Sequence, residues 1–195
     1  MIDPFPFATY SFVMSITPGP NNVMLTASGA NYGFRRTLPH LCGVTIGHTA
    51  QTVAVCAGLG AIFLRWPGLQ SALQWLGAAY LVYMGWRLLG SGDPQSAGSA
   101  RPITFLEAAA FQLLNPKAWV MSFTTASLFM PRDMGLLAGC AYVAAMLLVI
   151  NSPCVTLWAL FGSSLRAHLL RPARRVAFNA VMALALAGTA VIMVV

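Results

Sequence analysis

Apolar residues run along this chain in six long stretches separated by short polar connections, over about residues 5–31, 38–64, 69–89, 103–130, 135–163 and 174–195. A helix rises about 1.5 Å per residue and a bilayer's hydrocarbon core is about 30 Å thick, so about 20 apolar residues cross it. Each stretch meets that length. The pattern predicts an all-α polytopic membrane protein with six transmembrane helices. The short alternating segments of an outer-membrane barrel are missing. The first stretch has no basic segment ahead of it and is followed by five more, so it reads as a retained span rather than a cleaved signal.

One linker stands out: GSGDPQSAGSARP, residues 90–102, small, polar and closed by a proline. It divides a single transmembrane domain, residues 1–195, into half-repeats 1–89 and 103–195. An odd number of crossings per half puts the halves in opposite orientations, the 3+3 inverted repeat of many secondary transporters. Superposing Pro18 on Pro116 also places Phe7 on Phe105, Cys42 on Cys140, Cys56 on Cys154 and Phe63 on Phe161. Apolar chains match by chance, and the informative pair is the prolines. Both stand near the centre of the first helix of their half, which predicts broken first and fourth helices.

The predicted breaks carry the candidate chemistry. In SITPGPNNVML, residues 15–25, Pro18 and Pro20 lack amide donors and crowd the preceding turn, while Gly19 loosens the backbone between them. Such a break frees carbonyls before it and amides after it, which hydrocarbon tolerates only where they face protein or a cavity. A helix restarting near Pro20 and Asn21 presents amides and the positive end of its dipole, and Asn22 adds a further donor and acceptor. This suits an anionic group such as a carboxylate. A packing kink is the plainer reading, but the clustering of helix breakers and polar residues favours a cavity. In NPKAW, residues 115–119, Asn115 and Pro116 mark the second break and Lys117 follows. Lys117 lies about 15 Å from either end of its stretch, beyond the ~6 Å reach of a snorkelling lysine. Left unpaired at that depth it costs at least ~2.5–3.5 kcal/mol. It therefore faces a wet cavity, a carboxylate or a ligand, unless it is a structural pair or the span boundary lies elsewhere.

Other polar residues carry less signal. Glu107 is the acid within an apolar run and so a candidate for proton coupling, though an acid in a helix's first turn also suits the dipole. His48 is a second proton-coupling candidate, with an inter-helix hydrogen bond as the plainer reading. It follows GVTIG, whose Gly43 and Gly47 suit close helix contact, within one chain or between copies in a homo-oligomer. Gln51, Gln112 and Asn151 could line a polar path or staple helices. Asn151 and Pro153 are a candidate break in the fifth helix.

Composition removes alternatives. Of the 195 residues 58% are hydrophobic and 8% charged, too few charges for a soluble domain. The net charge of +7 does not form a nucleic-acid patch, because the basic residues sit between apolar runs, where they set orientation. Arg65 and Arg132 fall on one face of the six-span topology. Arg35, Arg36, Arg87, Arg101, Arg166, Arg171, Arg174 and Arg175 fall on the other, which predicts that face as cytoplasmic and both termini as periplasmic. Cys42, Cys56, Cys140 and Cys154 read as buried fillers, with no disulfide frame, metal site or cofactor implied. Paired carboxylates, HExxH and a phosphate loop are all missing, so an ion gradient is the expected driving force.

TPGPNN in the first stretch and NPKAW in the fourth, with GFRR after the first and the paired glycines of the second, resemble the lysine exporter (LysE) superfamily. The homoserine/threonine efflux (RhtB) branch fits best, and the resemblance covers essentially the whole chain. It implies a secondary transporter that exports amino acids or close derivatives across the bacterial inner membrane, coupled to protons. Its motifs imply a substrate path at Thr17, Pro18, Gly19, Pro20, Asn21 and Asn22 and at Asn115, Pro116 and Lys117. The expected partners are an amino acid, protons and the lipid bilayer, with no nucleic acid. The competing reading is a non-transporting membrane-embedded enzyme or scaffold subunit.

Overall fold

In a computed structural model, residues 3–90, 101–131 and 133–194 are described, apart from the side chains of Leu64 and Pro67. Most of the linker, Arg132 and Val195 thus lie outside the described residues. Among them the chain is all helical, with α1 Phe5–Ile16, α2 Pro20–Tyr32, α3 Phe34–Ala54, α4 Ala61–Arg65, α5 Pro67–Gly90, α6 Phe105–Leu114, α7 Pro116–Thr124, α8 Leu136–Leu165 and α9 Pro172–Val194. Single π-helical turns follow α3 (Val55–Leu59) and α7 (Thr125–Phe129), and a 3₁₀ turn, Arg166–Leu170, follows α8. The first stretch is α1 plus α2 and the fourth is α6 plus α7. Both are interrupted where the prolines stand. Two segments are unbroken and apolar enough to cross a membrane by length and composition, Leu136–Leu170 and Pro172–Val194. Large apolar side chains point outward along the bundle, among them Leu137, Val149, Leu184 and Ile192. That surface suits hydrocarbon rather than water.

Three expectations change. The second helix starts at Phe34, not near residue 38, so GFRR is its first turn rather than a connection. Gly33 makes this possible: at φ 83° it ends α2 and lets α3 begin at the next residue. The same helix then fails at Gly58, with φ 107° inside the π-helical turn, an interruption that the apolar pattern hid. The fifth helix, by contrast, does not break at Pro153. Around the missing amide, Ser152 Oγ donates back to the Leu148 carbonyl and Thr156 Oγ1 to that of Ser152, the kind of side-chain support that lets apolar helices carry proline.

Packing is closest where glycines face backbone. A Cβ on Gly29 of α2 would collide with the Ala159 carbonyl of α8, and one on Gly162 of α8 with the Thr26 carbonyl of α2. Gly43 and Gly47 of α3 meet α6 in the same way, at the Phe105 carbonyl and at Ala109. These two glycines therefore serve contact inside the chain. The α2–α3–α6–α8 group buries Leu25, Leu41, Val44, Ala108, Val155 and Ala159 together. At one end of the bundle Arg175 Nε donates to Asn31 Oδ1, Arg166 lies over Gly33, and Arg87 Nη2 donates to the Arg101 carbonyl. At the other end of α1, Phe7 stacks on Phe129, with Tyr10 and Tyr142 against them.

A methyl group at Gly162 must push α2 and α8 apart, whereas one at Gly188 meets nothing within 4 Å. Gly162→Ala is expected to lose about 1–3 kcal/mol of stability. Gly188→Ala should be neutral or slightly stabilising. Thermal unfolding of the two purified variants in detergent checks the contrast.

Candidate functional site

The break between α1 and α2 leaves a row of carbonyls with no helical amide to meet them, and each finds a side chain. Thr17 Oγ1 donates to Met14 O at 3.1 Å, Asn22 Nδ2 to Ser15 O at 2.9 Å, and Trp158 Nε1 of α8 to Ile16 O at 3.1 Å. Asn22 Nδ2 also reaches Thr17 O at 2.8 Å. Lys117 Nζ of α7 then donates to Thr17 O at 3.0 Å, Thr17 Oγ1 at 2.9 Å and Pro18 O at 3.3 Å. The carbonyls freed by the break are thus occupied, and the three donors of Lys117 are spent on two of them and on the Thr17 hydroxyl. Lys117 caps the negative end of α1, where a cation is favoured.

The second break is built from its own residues. Asn115, extended at φ −90° and ψ 109°, ends α6 and N-caps α7, its side chain accepting the Lys117 amide at 3.1 Å. Pro116 takes the first helical position, where a missing amide is harmless. Pro20 holds the same position in α2, with Gly19 as its cap. The proline with the local role of Pro116 is therefore Pro20, not Pro18. Gly19 is extended, at φ −175° and ψ 175°, a conformation open to any residue. The reason for glycine is room: a Cβ there would lie 3.1 Å from Cδ and 3.2 Å from Nζ of Lys117. Asn21 joins the breaks a second time, exchanging hydrogen bonds with Gln112 of α6 at 2.9 and 3.2 Å.

Between the breaks lies a cavity of about 30 Å³, lined by Ser15, Gly19, Pro20, Asn21, Asn22, His48, Gln112, Asn115, Lys117 and Asn151 with Met14, Val44, Ala118, Met121 and Val155. By volume it holds on the order of two waters. The amides of Gly19, Asn21 and Asn22 have no partner among the described residues and stand at the positive end of α2. His48 is 4% exposed, and neither ring nitrogen has a partner there. Ser11, one turn before Ser15 on α1, and Gln51, three residues after His48 on α3, are further buried polar groups without partners among the described residues.

Of the residues singled out in sequence, Gly19, Pro20, Asn21, Asn22, Asn115, Lys117 and His48 line this cavity, Thr17 and Pro18 hold the Lys117 ammonium, and Pro116 starts α7. Glu107 does not join them. It closes a capping box with Thr104 at the start of α6 and forms a bidentate ion pair with Arg101 at 2.7 Å. Trp158, 142 residues from the carbonyl it caps, carries no local sequence signal for that role. Gln112 and Asn151, expected to line a polar path or staple helices, both line the cavity, and Gln112 also ties α6 to Asn21. Among the described residues no group of three or more His, Cys, Asp or Glu is placed to hold a metal.

An apolar-surfaced helical bundle with a buried polar cavity between two helix breaks defines the class: a helical membrane protein with an internal polar site. The model of the LysE type translocator family matches residues 12–195, and the chain belongs to that family. The chain is similar to the cysteine/O-acetylserine efflux protein of Escherichia coli strain K12, 31% identical over 160 residues that cover 80% of each chain. The same figures hold for the proteins of that name from E. coli O139:H28 and Shigella flexneri. No solved structure matches. Members of the family are translocators, and the membrane-embedded-enzyme reading falls with that.

Trp158→Phe keeps the ring but leaves the Ile16 carbonyl bare, an expected loss of about 1–3 kcal/mol. Lys117→Met, which strips two carbonyls of their cation, is expected to lose more. Denaturation of both variants in mixed micelles orders the two effects, and equal stability to wild type would remove the capping role.

Proposed function

We propose that this protein is a secondary exporter of amino acids or close derivatives across the bacterial inner membrane, driven by protons and working by alternating access. In this reading α1–α2, α3–α4 and α5 form three spans, and α6–α7, α8 and α9 form three more in inverted orientation. The observation that carries it is the meeting of two broken helices at one buried cavity, where the free groups include the first-turn amides of α2 with Lys117 beside them. The efflux named for the relatives supports a cargo of amino-acid size, and the RhtB branch is compatible with the same motifs.

The arrangement suggests how substrate opens the site. A carboxylate settling on the amides of Gly19, Asn21 and Asn22 comes beside the Lys117 ammonium. It competes with the Thr17 and Pro18 carbonyls for that ammonium, and so loosens the tie between the breaks as it binds. The line through Ser11 and Gln51 is the proposed outward route, ending at the Phe7–Phe129 stack. Glu107 belongs to the rim in this scheme. Its bidentate tie to Arg101 fits it for fastening α6 rather than for carrying protons.

The test is efflux from proteoliposomes loaded with a panel of amino acids under an imposed pH gradient. Wild type should export at least one class, and Lys117→Ala should lower that rate by about tenfold or more, as expected for a lost charge-assisted contact. Glu107→Gln should retain export and its response to the gradient while losing thermal stability. A wild type that exports nothing, indistinguishable from Lys117→Ala, overturns the reading in favour of a scaffold.

The proposed topology makes its own prediction. A reporter active only in the periplasm, fused after Val195, should be active. A cytoplasmic C-terminus would reverse the orientation of both halves.

A further inference from the structure

The lining of the cavity contains one formal charge, the Lys117 ammonium, and no carboxylate among the described residues. A ligand with a net positive charge would bring a second cation into a buried space with no counter-ion. A zwitterion carries its own compensation and needs only dipoles at its two ends.

Those dipoles are present and separate. At one end the amides of Gly19, Asn21 and Asn22 head the thirteen-residue helix α2. The independent feature is on other helices. The cavity-lining side chains with buried polar atoms that have no hydrogen-bond partner among the described residues include Ser15 of α1 and His48 of α3, and Asn151 of α8 lines the same space. Asn21 is committed to Gln112, and Asn22 to the carbonyls of Ser15 and Thr17. His48 is 4% exposed, so its ring nitrogens, left without a partner, are costly. A neutral imidazole has one donor and one acceptor nitrogen, and the Asn151 carbonyl oxygen supplies another lone pair. Together they suit an ammonium.

We propose that the cavity, widened as Lys117 is drawn from Thr17 and Pro18, takes an amino acid with an uncharged side chain, its carboxylate on the α2 amides and its ammonium on His48 and Asn151, and that His48 is also the seat of the exchanged proton. This rests on the exporter reading and names its substrate class and coupling residue. The accepting nitrogen has one lone pair. It holds the substrate's ammonium or a proton, and not both. With the cavity open outward to water a proton takes it, and the imidazolium presents two donors and a positive charge to the ammonium, which leaves. When the cavity turns to the cytoplasm the proton departs and the next amino acid enters. One proton is exchanged for one zwitterion.

The surroundings leave His48 as the titrating group of the cavity. Lys117, from α7, is held by Thr17 and Pro18. α1 and α2 contribute Met14, Ser15, Asn21 and Asn22 to the lining, none of which titrates. α6 contributes Gln112, with Glu107 paired to Arg101 at its start. α8 contributes Asn151 and Val155, with the buried Cys154 between them in sequence. On its own helix His40 lies two turns away and is fully buried, and Cys56 follows in the π-helical turn.

The experiment is calorimetric titration of the purified full chain in nanodiscs with serine, cysteine, O-acetylserine, lysine and arginine. At neutral pH at least one uncharged-side-chain amino acid should bind, with lysine and arginine weaker by about tenfold or more. The methyl ester and the N-acetyl derivative of the best ligand should each lose about as much. On the acid side affinity should fall by up to about tenfold per pH unit, because protonation removes the acceptor. His48→Gln, which hydrogen-bonds without titrating, should flatten that dependence. Asn151→Asp tests the same point by gain: a carboxylate beside the ammonium site should raise affinity for lysine relative to serine by about tenfold. Lysine binding as tightly as serine to wild type, or a wild-type pH profile in His48→Gln, overturns this inference and leaves the exporter reading standing. A wild type that binds no amino acid overturns both.

Discussion

Everything at the centre of this bundle depends on how the last carbonyls of α1 are satisfied. A helix that ends in mid-membrane leaves them without amides, and hydrocarbon offers no water in exchange. Here the donors come from three directions: Asn22 from the restarted helix, Trp158 from α8 and Lys117 from α7. The break is therefore also the joint that gathers the helices around it. It explains the mid-membrane lysine as well, since a cation at the negative end of a helix is stabilised by the dipole and by the carbonyls it touches. Two features that are each unfavourable in an apolar chain, a broken helix and a deep charge, satisfy one another.

Around that joint the packing differs by direction. On the side of α2, α3, α6 and α8, glycines bring backbones together and an apolar cluster fills the space, leaving little for water. Towards the start of α1 the closure is made by side chains instead, with Phe7, Phe129, Tyr10 and Tyr142 in contact and unpartnered polar groups below them. Backbone contact through glycine is hard to rearrange without separating helices, whereas rings change rotamer. The asymmetry sets backbone contact on one side against side-chain contact on the other.

The sequence showed the breaks because proline and glycine act locally, and it showed Lys117 because depth in a membrane can be counted in residues. What it hid depends on which groups meet. Pro18 and Pro20 look alike in one dimension, and only the helix start distinguishes Pro20 as the partner in role of Pro116. Gly19 reads as backbone freedom but is extended, and its value is the space it leaves for Lys117. Glu107 stands in an apolar run in one dimension, and only the fold shows Thr104 and Arg101 taking up its oxygens. Trp158 lies over a hundred residues from the carbonyl it caps, and no local signal encodes that bond.

The same bonds bear on motion. An exporter must hold two arrangements of similar free energy, within a few kcal/mol, for a cargo to shift one into the other. The tie between the breaks is a small number of hydrogen bonds, each about 1 kcal/mol net when neutral and about 1.5–3 kcal/mol when a charge takes part. That is the right scale to be exchanged for the contacts of one small zwitterion, and too small to lock the chain. A carboxylate that draws Lys117 from Thr17 and Pro18 offers the ammonium a stronger acceptor, but it bares two carbonyls as it does so. Those carbonyls then favour the return of Lys117 once the cargo leaves. In the proposed exporter, the interaction that stabilises the closed form thereby also supplies the force that restores it.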